Sequence, residues 1–188
     1  MSNSEQASVL NGVNVSQLGE TVGAIQQDPD LARFQFRATT QWKGGGRSET
    51  RIQGFHGAGG EDTSREQPIV LVGDEPPVLL GGNAGANAVE TILHALTSCL
   101  AVGFVYNAAA RGIRVDALDF DVEGDLDLHA FLGLSEEKRP GYEGIRVTYR
   151  PVTDASREEV VELCEHVQKT SPVLDILRNP VPVEVRLA

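Results

Sequence analysis

An α+β fold, with antiparallel sheets wrapped around one long buried central helix, is predicted by three features of the sequence. Residues 92–110 are the most apolar stretch of the chain and carry no strand-like alternation. On both sides of them lie short segments in which apolar and polar residues do alternate. The length, 188 residues, suits a single core, which at this size buries roughly 70% of the surface of the unfolded chain. A helix apolar almost all round must be covered, and sheets are what remain to cover it.

Taken in order, residues 1 to about 14 are expected to be disordered or loosely attached. Residues 15–25 form a short helix with Leu18, Val22 and Ile25 on one side, ended by Asp28-Pro29-Asp30. Residues 1–30 are thus an N-terminal extension, and residues 31–188 a single domain. Residues 34–42 read as a strand, rich in aromatic and β-branched residues. Lys43 and three glycines make a turn, and residues 47–55 return as the second strand of a hairpin. Residues 57–67 read as a polar loop and residues 68–72 as a short apolar strand, before a break at Asp74-Glu75-Pro76-Pro77 and a Gly-rich run over 81–85.

Asn87 opens the central helix. Asn is a preferred N-cap, and Glu90 three residues on completes a capping box. Arg111 and Gly112 supply the basic last turn and the stop, giving about 24 residues and roughly 36 Å. His94, Thr97, Ser98 and Asn107 interrupt the apolar run, and no aromatic belt or basic flank brackets it, so it reads as a soluble core helix rather than a membrane span.

From Leu118 onward Leu118, Phe120, Val122, Leu126 and Leu128 share one strand face, and Asp119, Asp121, Glu123, Asp125 and Asp127 the other. Ile145, Val147 and Tyr149 alternate with Arg146, Thr148 and Arg150, and antiparallel pairing would set arginines beside the acidic row. Five carboxylates also suit calcium, but the spacing is not that of an EF-hand, and a solvated strand face is the plainer reading. Ser156 and Glu159 form a second capping box, opening a helix to about Lys169 with Val160, Val161, Cys164 and Val167 inward. Ser171-Pro172 opens a further turn, and Val181, Val183, Val185 and Leu187 form a closing strand.

A net charge of −11 repels phosphate backbones and anionic lipid, which argues against nucleic acid and membrane surfaces as partners. The start, MSNSEQASVLNG, has neither a basic nor an apolar region of the secretory kind, so a cytoplasmic protein is expected. Two cysteines without CxxC and four scattered histidines give no metal-ligand spacing, and neither a metal nor another cofactor is expected.

Three segments carry a resemblance: NAVETILHALTSCLA over 87–101, SPVLDILRNPVPV over 171–183, and DEPPVLLGGN over 74–83. Together they resemble the OsmC family of thiol peroxidases and their organic hydroperoxide resistance relatives. The resemblance covers about residues 30–188, and its most specific element is a cysteine within a long helix, at a set distance from an Asn cap. It implies an intertwined homodimer, in which sheets from both chains enclose the central helices and the active thiols lie at the subunit interface. It also implies a helix thiolate that attacks peroxide and becomes a sulfenic acid. A second cysteine then condenses with that acid to a disulfide, which an external thiol reduces. An arginine stabilises the thiolate and a glutamate holds the arginine.

Carried over residue by residue, Cys99 matches the attacking cysteine; a small buried hydrophobe is its alternative role. The resolving position falls on Ser171, and serine closes no disulfide. Cys164, seven residues earlier, is a candidate second redox residue, displaced by about 10 Å if the helix continues. The family's glutamate falls on Val89, with Glu90 one further, read both as site residue and as cap. Arg47, after the glycine turn, best matches the arginine, and His94 is either a site residue or a core histidine. Two functions are implied: a thiol-dependent peroxide reductase with Cys99 as nucleophile, acting as an antioxidant in a stress response, or a redox-silent binding protein using the same pocket for a small ligand.

Overall fold

The computed structural model describes residues 8–188, and its described residues fall into two units, residues 16–92 and residues 8–15 with 93–188. The architecture is α+β with antiparallel sheets.

The first unit begins with α1 (Val15–Gln27), none of whose residues is buried. A short 3₁₀ turn, Pro29–Ala32, comes next, its first turn capped by the Asp28 carboxylate on the Asp30 N–H. The sheet is built from β3 (Thr39–Gly44), β4 (Arg47–Ile52) and β7 (Ile69–Gly73), with β4 central and antiparallel to both neighbours. Gly44 and Gly45 both take positive φ in the β3–β4 turn, and the Trp42 indole N–H donates to the Gly45 carbonyl across it. The expected strand over 34–42 is shorter than its composition suggests. Phe34, Phe36 and Phe55 stack on one another instead, and Gln35 makes only an isolated bridge to His56. Part of the expected 57–67 loop is a second hairpin, β5 (Phe55–Gly57) with β6 (Gly60–Asp62), turned at Ala58 and Gly59, both at positive φ.

After β7 the chain makes a short turn, Pro77–Leu79, and runs back under a loop held by a buried carboxylate. Asp74, only 5% exposed, accepts the backbone N–H groups of Glu75, Gly82 and Ala84 at 2.8, 3.0 and 3.0 Å. The glycines there are required by close approach: a Cβ on Gly81 would lie 1.8 Å from the Glu75 carbonyl oxygen, and one on Gly85 2.1 Å from that of Val72.

α2 (Ala88–Ala110) starts as expected. The Asn87 side chain accepts the Glu90 N–H at 2.8 Å while the Glu90 carboxylate accepts the Asn87 N–H at 2.9 Å, the reciprocal capping box. It ends at Gly112, in left-handed conformation, where Ile113 N–H reaches the Ala108 carbonyl and Gly112 N–H that of Ala109, a Schellman stop. With 23 residues and mean hydropathy 1.7, α2 is long and apolar enough to cross a membrane by length and composition. Within the chain it is covered along one stripe. Leu96, Leu100, Phe104 and Ala108, four residues apart, are buried, whereas His94, Ser98, Val102 and Tyr106 on the opposite stripe are exposed.

The second unit holds that buried stripe. β8 (Val115–Asp125) and β9 (Gly144–Thr153) pair antiparallel, with Asp119 opposite Arg150 and Glu123 opposite Arg146. Leu118, Phe120, Ile145, Val147 and Tyr149 pack on the core formed by Leu96, Leu100, Phe104, Leu163 and Val167. On the outer face Arg146 holds Glu123 and Asp125 at 2.7 and 2.6 Å, and Arg150 holds Asp121. The strand ends at Asp125, earlier than the alternation through Leu128 suggests. Asp127 is turned into a local site instead, accepting the His129 N–H and pairing with the His129 ring and with Lys138.

α3 (Arg157–Thr170) begins with the Ser156–Glu159 capping box. It buries Leu163 and Val167, and leaves Val161, expected inward, 48% exposed. α4 (Pro172–Arg178) comes directly after it, with Ser171 as its N-cap. Two expectations change here. Of the start expected to be loosely attached, residues 1–7 lie outside the described residues. Residues 8–14 contain a hairpin, β1 (Val9–Leu10) with β2 (Val13–Asn14), turned at Asn11-Gly12. The Asn11 side chain donates to the Ile113 carbonyl and accepts the Val115 N–H, both at 2.9 Å, which ties the hairpin to the end of α2. The closing strand expected over 181–187 is not formed: the segment has no strand partner among the described residues, and Val183, Val185 and Leu187 are exposed.

Candidate functional site

Cys99 lies near the middle of α2, one residue before the buried Leu100, and is partly buried. Its sulfur is 3.2 Å from the Ser171 hydroxyl, so the helix thiol and the residue at the resolving position meet across 72 positions of sequence. Ser171 is 5% exposed. Its Oγ also accepts the Leu174 N–H at 3.2 Å, the side-chain cap of α4, and Pro172 at the first helical position fixes the backbone beside it.

Beside this pair opens a cavity of about 430 Å³, walled by Ser98, Cys99, Val102 and Gly103 of α2 and by Val167, Thr170, Ser171 and Pro172. Its lining is almost wholly apolar. Gly103 allows the close approach that forms it, for a Cβ there would lie 3.0 Å from Val167 Cγ1. Such a pocket accepts an organic group and brings it against the sulfur.

Cys164 is a free thiol on α3 that packs against the same core, and burial pushes its thiol up from the ordinary value. Tyr149 reaches toward both cysteines from β9, tilted against Phe104 and Phe120 at ring-centroid distances of 6.2 and 4.8 Å. Its hydroxyl is buried without a hydrogen-bond partner among the described residues. Burial first, then the neighbouring Cys164, push the phenol up to about 12. Sequence reasoning missed Tyr149 because it occupies a regular inward place in the β9 alternation.

The other candidates have local partners. Glu90 is engaged in the α2 cap, nine residues before Cys99. Arg47, at the start of β4, pairs with Glu49 at 3.3 Å and adds its charge near Asp74. Arg47 and Glu90 belong to the first unit, Cys99, Cys164 and Ser171 to the second. His94, weighed as a core histidine, is exposed and within 3.4 Å of the Ser98 hydroxyl. No cluster of three metal-ligating side chains occurs among the described residues.

A family model described as OsmC-like protein matches residues 81–186, more than half of the chain and the whole of the segment that carries Cys99 and Ser171. The chain belongs to the OsmC-like family. Solved structures agree at the level of fold. An OsmC-like protein from Mycoplasma pneumoniae has a TM-score of 0.61 and 16% identity, over 78% of this chain and 89% of that one. An osmotic stress induced and detoxification response protein from Psychrobacter arcticus gives 0.55 and 12%, over 73% and 85%. An organic hydroperoxide resistance protein OsmC from Legionella pneumophila gives 0.50 and 15%, over 77% and 89%. No curated protein matches the sequence.

Proposed function

We propose that this OsmC-like protein is a thiol-dependent peroxide reductase with Cys99 as the peroxidatic nucleophile. The observation that carries the reading is the placement of the Cys99 sulfur at the wall of an apolar cavity, hydrogen-bonded to a buried hydroxyl. Membership in a family with organic hydroperoxide resistance proteins among its solved relatives supports it. The Cys99 thiolate attacks one peroxide oxygen, the O–O bond breaks, and the departing alkoxide takes a proton to leave as alcohol. Cys99 is left as a sulfenic acid, which an external thiol reduces. In this reading Arg47 provides positive charge for the thiolate and Glu90 serves it from a partner chain, with Cys164 the alternative source of the second thiol in place of the external one. The protein acts in the cytoplasm as a homodimer, without a cofactor and without nucleic acid or membrane as partner.

A redox-silent small-ligand-binding protein is the second reading, favoured by the serine at the resolving position and by the apolar lining of the cavity. Consumption of hydrogen peroxide and of cumene hydroperoxide, followed with dithiothreitol as reductant, separates the two. The reductase consumes at least one of them far faster than Cys99→Ser does. Equal rates for the two proteins with both peroxides would remove the enzyme reading and leave the binding protein.

A further inference from the structure

We propose that Ser171 is the hydrogen-bond donor that holds the Cys99 sulfur through the reaction, so that the site runs on one protein cysteine and an external low-molecular-weight thiol. The inference deepens the peroxide-reductase reading and rests on it.

The thiolate state fixes the direction of the Ser171–Cys99 bond. Its Oγ accepts the Leu174 N–H at 3.2 Å, which occupies one lone pair and leaves the hydroxyl proton for another partner. The Cys99 sulfur, also at 3.2 Å, is that partner. A thiolate has no proton to give, so in the reactive state the bond runs from Ser171 to Cys99. The donor is fixed in advance, because Ser171 is 5% exposed and its backbone is set by the α4 cap and by Pro172. A donor already in place loses no energy to reorientation as charge develops.

The same contact governs the fate of the oxidised sulfur. A cysteine at 171 would be placed to condense with the sulfenic acid, whereas the serine hydroxyl donates a hydrogen bond to it. Cys164 is a poor substitute, since it does not line the cavity at Cys99 and burial pushes its thiol up, away from the thiolate that attacks. The missing thiol therefore comes from solution, through the open cavity at Cys99. It attacks the sulfenic sulfur, the oxygen leaves as water with two protons, and a mixed disulfide forms. A second molecule of the thiol then releases Cys99 and leaves as its own disulfide.

Ser171→Gly tests the donor, because glycine caps a helix nearly as well as serine and has no hydroxyl. The readout is the iodoacetamide alkylation rate of Cys99, followed by peptide mass spectrometry at pH 7 and at pH 10. Loss of one hydrogen bond to the thiolate slows alkylation about fivefold at pH 7. The rate at pH 10, well above the ordinary cysteine value of about 8.5, stays the same. Ser171→Thr, which keeps the hydroxyl, restores the pH 7 rate. Equal rates for Ser171→Gly and the wild type at pH 7 would overturn the donor role, as would an equal change at both pH values, which marks altered access.

The single-cysteine cycle is tested on the wild type with one equivalent of cumene hydroperoxide. Cys99 becomes trappable by dimedone, and added 2-mercaptoethanol converts it to a mixed disulfide. A Cys99–Cys164 disulfide would overturn the cycle. A Cys99 that no peroxide oxidises would remove the reductase reading, while the alkylation result still stands or falls by itself.

Discussion

Asp74 and Ser171 show how much one polar side chain decides when it is buried. The backbone N–H groups of Ala84 and Glu75, with that of Gly82 and the charge of Arg47, hold the Asp74 carboxyl below the usual carboxylate range, against the opposing effect of burial. A carboxyl lowered in the folded state stabilises the fold above its unfolded value, about 3.9, and that stabilisation is lost as pH falls through the lower folded value. Asp125, lowered by Arg146, and Glu159, lowered by its cap bonds to Ser156, act in the same window and direction. Asp74→Asn should therefore lower Tm at pH 7, since an amide offers one acceptor oxygen where three N–H groups need partners. The difference from the wild type should shrink between pH 4 and pH 2, as measured by circular dichroism melts. An unchanged Tm at pH 7 would show that the loop does not depend on the carboxylate. Ser171 obeys the same logic with a hydroxyl: one acceptor face for the helix cap, one proton for Cys99.

At the scale of elements, α2 is two-faced in a way its composition conceals. Phe104 is fully buried between the α3 contacts and Tyr149, whereas Val102, two residues earlier, is 54% exposed. Phe104→Ala should destabilise the chain by about 3–5 kcal/mol, read by urea unfolding, and a loss below about 1 kcal/mol would contradict the packing described. What was legible in sequence was local. The Asn87–Glu90 and Ser156–Glu159 boxes, the Gly112 stop and the Ser171-Pro172 start all depend on residues within a turn of each other. The β8–β9 pairing was legible too, because one face of each strand meets the core and fixes the register. The misses were non-local. Asn11-Gly12 is a strong hairpin signal, but its two-residue strands gave no alternation, and their anchor lies about a hundred positions away at Ile113. Residues 181–187 alternate as a strand does, and pairing needs a partner that local pattern does not supply. At the site, the Cys99–Ser171 juxtaposition was implied by the family motif. Asp74 and the orphan hydroxyl of Tyr149 became visible only once their surroundings were placed.

At the scale of the whole molecule, the single chain leaves too much apolar surface uncovered. The uncovered residues are not scattered polar ones. They include Val102 and Tyr106 on the open stripe of α2, Ile69, Val70 and Leu71 along β7, and Val183, Val185 and Leu187 near the end of the chain. Exposed apolar surface in this quantity marks an interaction site, and a second copy of the chain is the partner the family resemblance implies. The expected state is an obligate homodimer with an interface of about 2,000 Å² or more. Sedimentation at micromolar concentration should show one dimeric species, and Tm should rise with protein concentration, since association stabilises by mass action. Tyr106→Asp puts a charge on the open stripe of α2 while leaving the buried stripe intact. It should shift the protein toward monomer, or lower Tm most at the lowest concentrations. A wild-type protein that sediments as a stable monomer, with a Tm independent of concentration, would refute the dimer and leave the apolar stripe of α2 facing water without a physical reason.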